Sequence, residues 1–240
     1  MAKYDNTLGV ARRTMVLFFL IDKSRSMEGS KIGAVNVAMS EVIPEIQKIA
    51  EESADANIKI AVLTFSTKSN WLYSSTIDAK DFKWNDLSVD AYTDMGSAFT
   101  LLNEKLSRNG GFMIETAGSY SPAIFLMSDG QPTDEYEKPL KLLKNNQWFK
   151  ASLKVAIAIG EDADKVMLAE FTGNSESVLT VHTPEALKQM IRFTSITASK
   201  IGSKSSPAPI DGQNLSKQED FNNQIVDFSE TLADWDSDSW

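Results

Sequence analysis

Asp22-Lys23-Ser24-Arg25-Ser26 sets one carboxylate and two hydroxyls within five residues, directly after the apolar run Val16-Leu17-Phe18-Phe19-Leu20-Ile21. A second acid, Asp129, follows another apolar run, Ala123-Ile124-Phe125-Leu126-Met127-Ser128, and is itself followed by Gly130. Between them lies Thr93, in Tyr92-Thr93-Asp94-Met95-Gly96-Ser97. Asp22, Ser24, Ser26, Thr93 and Asp129 are all hard oxygen donors. Such donors suit a hard divalent cation, and Mg²⁺ takes six oxygens at roughly 2.0–2.1 Å while keeping several waters. Mn²⁺ and Ca²⁺ are satisfied by the same donor chemistry. The chain has no cysteine and one histidine, which argues against zinc or copper, since those ions favour thiolate and imidazole ligands.

These donors need a scaffold that brings distant segments to one edge. Continuous apolar runs of six residues read as strands buried on both faces, as in a parallel sheet. The strands expected are Thr14 to Asp22, Ile58 to Ser66, an edge strand at Trp71 to Ser75, Ala123 to Ser128, Leu153 to Ile159 and Val178 to Val181. Between them the spacing predicts helices: Lys31 to about Glu52, with Pro44 expected to kink or break it, Gly96 to Leu106, Pro132 through Leu143, and Asp162 to Phe171. A closing helix runs from Pro184 to about Ile201. Phe82 to Asp90 reads as irregular. Strand–helix alternation of this length implies α/β architecture, a Rossmann-like doubly wound, mostly parallel central sheet with helices on both faces. In such sheets ligands bind outside the carboxyl ends of the strands, where Asp22 and Asp129 fall.

Asp-x-Ser-x-Ser, a lone Thr and Ser-Asp-Gly, in that order, resemble the metal-ion-dependent adhesion site of von Willebrand factor A (vWA) domains. The resemblance implies that Ser24, Ser26 and Thr93 ligate the ion, with Asp22 and Asp129 bound directly or through water. Arg12 to Asp22, Ala34-Val35-Asn36-Val37-Ala38, Leu126 to Asp134 and Ala156 to Asp164 further resemble the TerY group. These are bacterial vWA proteins of tellurium-resistance and chemical-stress clusters. The match covers roughly residues 10–202, so a vWA domain is assigned to 1–202. That group's usual Asp-Thr-Ser-Gly-Ser-Met is here Asp22-Lys23-Ser24-Arg25-Ser26-Met27. Both departures spare the ligand positions and put positive charge beside the ion, which would favour an acidic partner. The resemblance implies a protein-interaction module whose ion accepts a partner's Asp or Glu. Its implied partners are a protein kinase and a PP2C-type phosphatase of the same cluster.

A second class competes on the same residues. Haloacid-dehalogenase-like phosphotransferases also place a nucleophilic Asp at a buried strand end, a role open to Asp22. That chemistry wants a general acid–base two residues on, and Ser24 has no usable pKa for it. A non-enzymatic role is therefore expected. Neither Gly-x-Gly-x-x-Gly nor a P-loop is present to bind a nucleotide.

Net charge is −9 and the isoelectric point about 4.8, so nucleic acid finds no electrostatic support. No run approaches the roughly 18–20 apolar residues that span a bilayer. Met1 to Asn6 lacks a signal peptide's apolar stretch, which gives the expectation of a cytoplasmic address. Residues 203–210 read as a Ser/Pro linker and 211–240 as an acidic tail, eight acids against Lys217. Phe221, Ile225, Phe228 and Leu232 recur at helical spacing. The preferred expectation is that this tail orders on a partner or a neighbouring copy, the alternative a helix packed on its own domain. Asp234, Asp236 or Asp238, steered by Trp235 and Trp240, are candidates to engage the metal face.

Overall fold

β1 (Arg13–Asp22) is buried along its whole length except for Arg13, so both of its faces must be covered. Alternation along the strand separates the two faces. Met15, Leu17, Phe19 and Ile21 join a core with Val35, Met39, Val42 and Ile46 of α1 (Ser30–Glu52) and Leu187 and Ile191 of α6 (Pro184–Gly202). Val16, Phe18 and Leu20 join a second core with Phe99 and Leu102 of α2 (Met95–Lys105), Leu140 and Leu143 of α3 (Glu137–Asn145), and Met167 and Phe171 of α5 (Lys165–Thr172). In the computed structural model, which describes residues 12–54, 56–114, 118–129, 132–160, 163–202 and 217–232, two helical layers therefore sandwich one sheet.

The sheet order is β3-β2-β1-β5-β6-β7, with β4 also paired to β2. β2 (Ala56–Phe65), β5 (Ala123–Ser128), β6 (Leu153–Ile159) and β7 (Val178–Val181) run parallel to their neighbours. β3 (Asn70–Trp71) and β4 (Ile77–Asp78) are antiparallel to β2. The chain leaves β1 for β2 on one side and returns through α2 to β5 on the other. The order of winding thus reverses between β1 and β5, and that gap is the crevice where doubly wound sheets accept ligands.

Departures from the expected elements have local causes. α1 continues through Pro44 as one helix. Pro44 and Ser40, whose carbonyl loses its partner, are both exposed, so water can replace the missing bond. The expected edge strand at 71–75 is instead the two short pieces β3 and β4. α3 starts at Glu137 rather than Pro132 because the intervening side chains are committed elsewhere, as described below. An unexpected helix, α4 (Gln147–Ala151), is capped by Asn146 Oδ1, which accepts from Trp148 N at 2.8 Å and Phe149 N at 3.4 Å.

The described part of the tail also differs from the preferred expectation. α7 (Lys217–Leu232) lies on its own domain. Phe221 and Ile225 are buried in the α1/α6 core, and Phe228 stacks on Phe193 of α6 with centroids 3.9 Å apart. The Gln218 amide brackets the Lys154 backbone: its Oε1 accepts from Lys154 N at 2.8 Å, and its Nε2 donates to Lys154 O at 3.1 Å. β6 pairs with β7 only from Ala156 onward, so Gln218 satisfies backbone groups that a neighbouring strand would otherwise take. Buried Asn222 accepts from Ser177 Oγ at 2.9 Å. Asp227 and Glu230 stay outward, while Phe221, Ile225 and Phe228 find their partners within the chain. The linker 203–210 and the residues Asp234, Trp235, Asp236, Asp238 and Trp240 lie outside the described residues.

Candidate metal centre

The register brings the two acids together. Ile21 pairs with Met127, so Asp22 and Ser128 are level at the carboxyl edge. Ser128 Oγ donates to Asp22 Oδ2 at 2.6 Å, and Ser24 N donates to Asp22 Oδ1 at 2.8 Å. Ser24 Oγ lies 3.0 Å from Ser26 Oγ, and Ser26 Oγ donates to Asp129 Oδ1 at 2.7 Å. Lys31 Nζ donates to Asp129 Oδ2 at 2.5 Å. One hydrogen-bonded chain thus runs Ser128–Asp22–Ser24–Ser26–Asp129–Lys31. Asp22, Ser24 and Asp129 are buried, whereas Ser26 is exposed, so the cluster opens to solvent on that side.

Backbone bonds seat the loop carrying Thr93 on the same edge. Lys23 N donates to Phe65 O, Asp90 N to Lys23 O, Arg25 N to Ala91 O and Asp94 N to Ser66 O. Thr93 is buried, its backbone tied to Thr133 through Thr133 N and Oγ1, which both donate to Thr93 O. Its hydroxyl joins none of the other four by a hydrogen bond among the described residues. Four of the five candidate donors are therefore linked to one another, and Thr93 is placed beside them by its backbone.

Asp134 anchors the opposite wall. Its carboxylate accepts from Met95 N at 3.0 Å and Gly96 N at 2.7 Å, the first amides of α2, a favourable place for negative charge. Asp94 adds a second cap, accepting from Ser97 N at 3.0 Å. Burial and the neighbouring Asp94 push the Asp134 carboxyl up. A Cβ at 96 would meet Asp134 Oδ2 at 2.5 Å, so a larger residue there would push that carboxylate off the α2 amides it accepts from. With Thr133 and Asp134 drawn to Thr93 and α2, the chain from Pro132 cannot begin a helix until Glu137.

The electrostatics leave a charge to be compensated. Burial, partly offset by the bonds from Ser128 and Ser24, pushes Asp22 up from 3.8 to about 6. Asp129 has an ammonium partner, but no lysine or arginine pairs with Asp22 among the described residues. Two buried carboxylates against one ammonium, lined by hydroxyls, fit a hard divalent cation.

Several features escaped the sequence. The Ser26 hydroxyl bonds Ser24 and Asp129, and Gly29 occupies the N-cap of α1, at φ +87°, a conformation that favours glycine. Lys23 lies 3.9 Å from Asp90, so its charge is partly used within the chain, and exposed Arg25 and Tyr92 form the outer rim. Lys31 joins the site through Asp129 without being among the oxygen donors that the sequence pattern marks. A cation in the first turn of a helix opposes the macrodipole, and that misplacement was the available signal.

The comparisons agree with this architecture. The family model for the von Willebrand factor type A domain matches residues 17–193. Human inter-alpha-trypsin inhibitor heavy chain H6 is 28% identical over 166 residues, which cover 62% of this chain and 12% of that protein. A von Willebrand factor type A structure from Catenulispora acidiphila aligns with TM-score 0.60 at 16% identity, covering 78% of this chain and 43% of that one. Mussel proximal thread matrix protein 1 with a zinc-occupied MIDAS motif aligns with TM-score 0.56 at 15% identity, covering 76% and 47%. The chain spans about an eighth of the human relative and under half of these two structures. No helix among the described residues is long and apolar enough to cross a membrane. The matched family model covers most of the chain and coincides with the sheet and the oxygen-lined crevice: the chain belongs to the von Willebrand factor type A domain family.

Proposed function

We propose that this chain is a metal-dependent protein-interaction module rather than an enzyme. Asp22, Ser24, Ser26, Thr93 and Asp129 hold the ion. The observation that carries the reading is Asp22, a buried carboxylate without a cationic partner among the described residues, in a chain of hydroxyls that reaches the surface at Ser26. When bound, a Mg²⁺-class ion supplies a Lewis-acidic position for a partner's Asp or Glu. Ser128 and the Ser24 amide orient Asp22, Ser26 orients Asp129, and exposed Arg25 offers positive charge to an approaching carboxylate.

The zinc-occupied motif of the mussel protein withdraws the argument against zinc from the lack of Cys and His, so the ion is assigned as a divalent cation with Mg²⁺, Mn²⁺ or Ca²⁺ preferred. The phosphotransferase alternative finds no support. The matched family is a different one, Ser24 stands where a general acid is needed, and both Asp22 oxygens are engaged.

The TerY-type resemblance supports a finer reading: a cytoplasmic adaptor in a bacterial stress response, with a kinase and a PP2C-type phosphatase as partners. Co-purification from the native host tests it. A partner retained with Mg²⁺, and lost both on EDTA treatment and in Asp22→Ala, is expected. Equal retention under all three conditions would contradict metal-dependent binding.

A further inference from the structure

Local helix preference does not explain the Lys31–Asp129 pair. Lys31 is the second residue of α1, where the helix macrodipole disfavours a cation. Its side chain is only 15% exposed, and its ammonium lies on a carboxylate that is fully buried. A desolvated ammonium persists only where an anion compensates it. Asp129 is that anion, and its other oxygen is held by Ser26. Both Asp129 oxygens are thus engaged, one of them by a positive charge that stands where an ion's charge would be felt.

We propose that Lys31 is a tethered competitor of the divalent cation: it holds Asp129 in place while the site is metal-free and yields that carboxylate as the ion binds. The inference rests on the metal-binding reading above and adds an opposing charge to it. The two states are alternative ways to neutralise one buried carboxylate. In the first the cation is covalently attached and unavoidable; in the second it comes from solution, so its affinity is reduced by the work of displacing or enduring the ammonium. Repulsion between a divalent ion and an ammonium a few ångströms apart is enough for a change on the order of tenfold in affinity, even at a near-aqueous dielectric. Lys31 is therefore a positioning residue for Asp129 that sets a threshold concentration for loading.

Two readouts move in opposite directions, which a merely structural lysine would not produce. Full-length chain stripped with chelator is titrated with Mg²⁺, and separately Mn²⁺, by calorimetry, and its melting temperature is followed in EDTA. Lys31→Met is expected to bind Mg²⁺ about tenfold more tightly than wild type and to melt lower in EDTA, because Asp129 loses its countercharge. Lys31→Arg, which keeps the charge, is expected to bind within about twofold of wild type, since the same Coulomb term persists. Should Lys31→Met fail to fold, Lys31→Gln keeps a hydrogen-bond donor without the charge and carries the same expectation. Neutral variants that bind as wild type or more weakly would overturn the proposal. Wild type and neutral variants that all bind neither ion would overturn the metal-binding reading along with it. A wild type that binds weakly or not at all, beside a neutral variant that binds, would support the competition.

Discussion

Asp22→Asn is expected to make the metal-free protein more stable at pH 7 by ~3 kcal/mol, the worth of a carboxyl raised from 3.8 to about 6. Burial is the dominant cause of the raised value, and the bonds from Ser128 and Ser24 offset only part of it. A carboxyl that holds its proton more tightly when folded stabilises the fold at low pH. That contribution is fully present below the unfolded value of 3.8 and is lost as pH rises through about 6. At pH 7 the folded state must carry a buried carboxylate with no cationic partner among the described residues. Asparagine has the same shape and no charge. Its Oδ1 can still accept from Ser24 N, and its Nδ2 can donate to the Ser128 hydroxyl.

Denaturant unfolding in chelator from pH 4 to pH 7 should therefore show wild type falling relative to Asp22→Asn, with the two nearly equal at the acidic end. Mg²⁺ at about a thousandfold excess over its dissociation constant should reverse the order, because it adds ~4.1 kcal/mol to the form that binds it. Parallel pH profiles in chelator would show that Asp22 is not the uncompensated charge described above.

The second large effect concerns α7. Phe221 is buried against the α1/α6 core, and removing its ring leaves a cavity where the helix meets the domain. Phe221→Ala should cost ~3–5 kcal/mol if α7 unfolds together with the domain, as buried Phe→Ala changes typically do. Urea unfolding would show the midpoint shift, and amide exchange would show protection across 217–232 comparable with that of α6. A loss below ~1 kcal/mol would mean that α7 detaches without unfolding the domain, returning the helix to the role of a tail seeking a partner elsewhere.

The sheet was legible because β1 and β5 carry unbroken apolar runs and β6 does so from Val155 onward, a pattern suited to strands covered on both faces. The cluster Asp22, Ser24, Ser26 and Asp129 was legible for a related reason: parallel strands all end at one edge, so polar residues just past each run must meet there. What stayed hidden depends on side chains acting across the sequence. The late start of α3 follows from Asp134 capping α2 and Thr133 holding Thr93, neither of which is a local signal at Pro132. α4 is too short for a period to show and rests on Asn146. Pro44 forecast a kink, but its face of α1 meets water, which takes the place of the lost hydrogen bond. The 3.6-residue period of the tail identified the helix but carried no information about what would cover it, and Phe193, Ser177 and Lys154 supply that cover. The first-turn position of Lys31 marks it as unusual for a helix, but not what it serves, because its partner lies 98 positions away.

Calorimetric titration of Mg²⁺ into the chelator-stripped chain, with Asp22→Ala alongside, tests the central claim most directly. Asp22 is held in place by Ser24 N and Ser128 Oγ and lies in one hydrogen-bonded chain with Ser24, Ser26 and Asp129, so its removal takes away both a charge and the group that organises the others. One ion per chain in wild type, with no measurable binding in Asp22→Ala, is the expected result. Unchanged Mg²⁺ affinity in Asp22→Ala would contradict the assignment of this crevice as the metal centre.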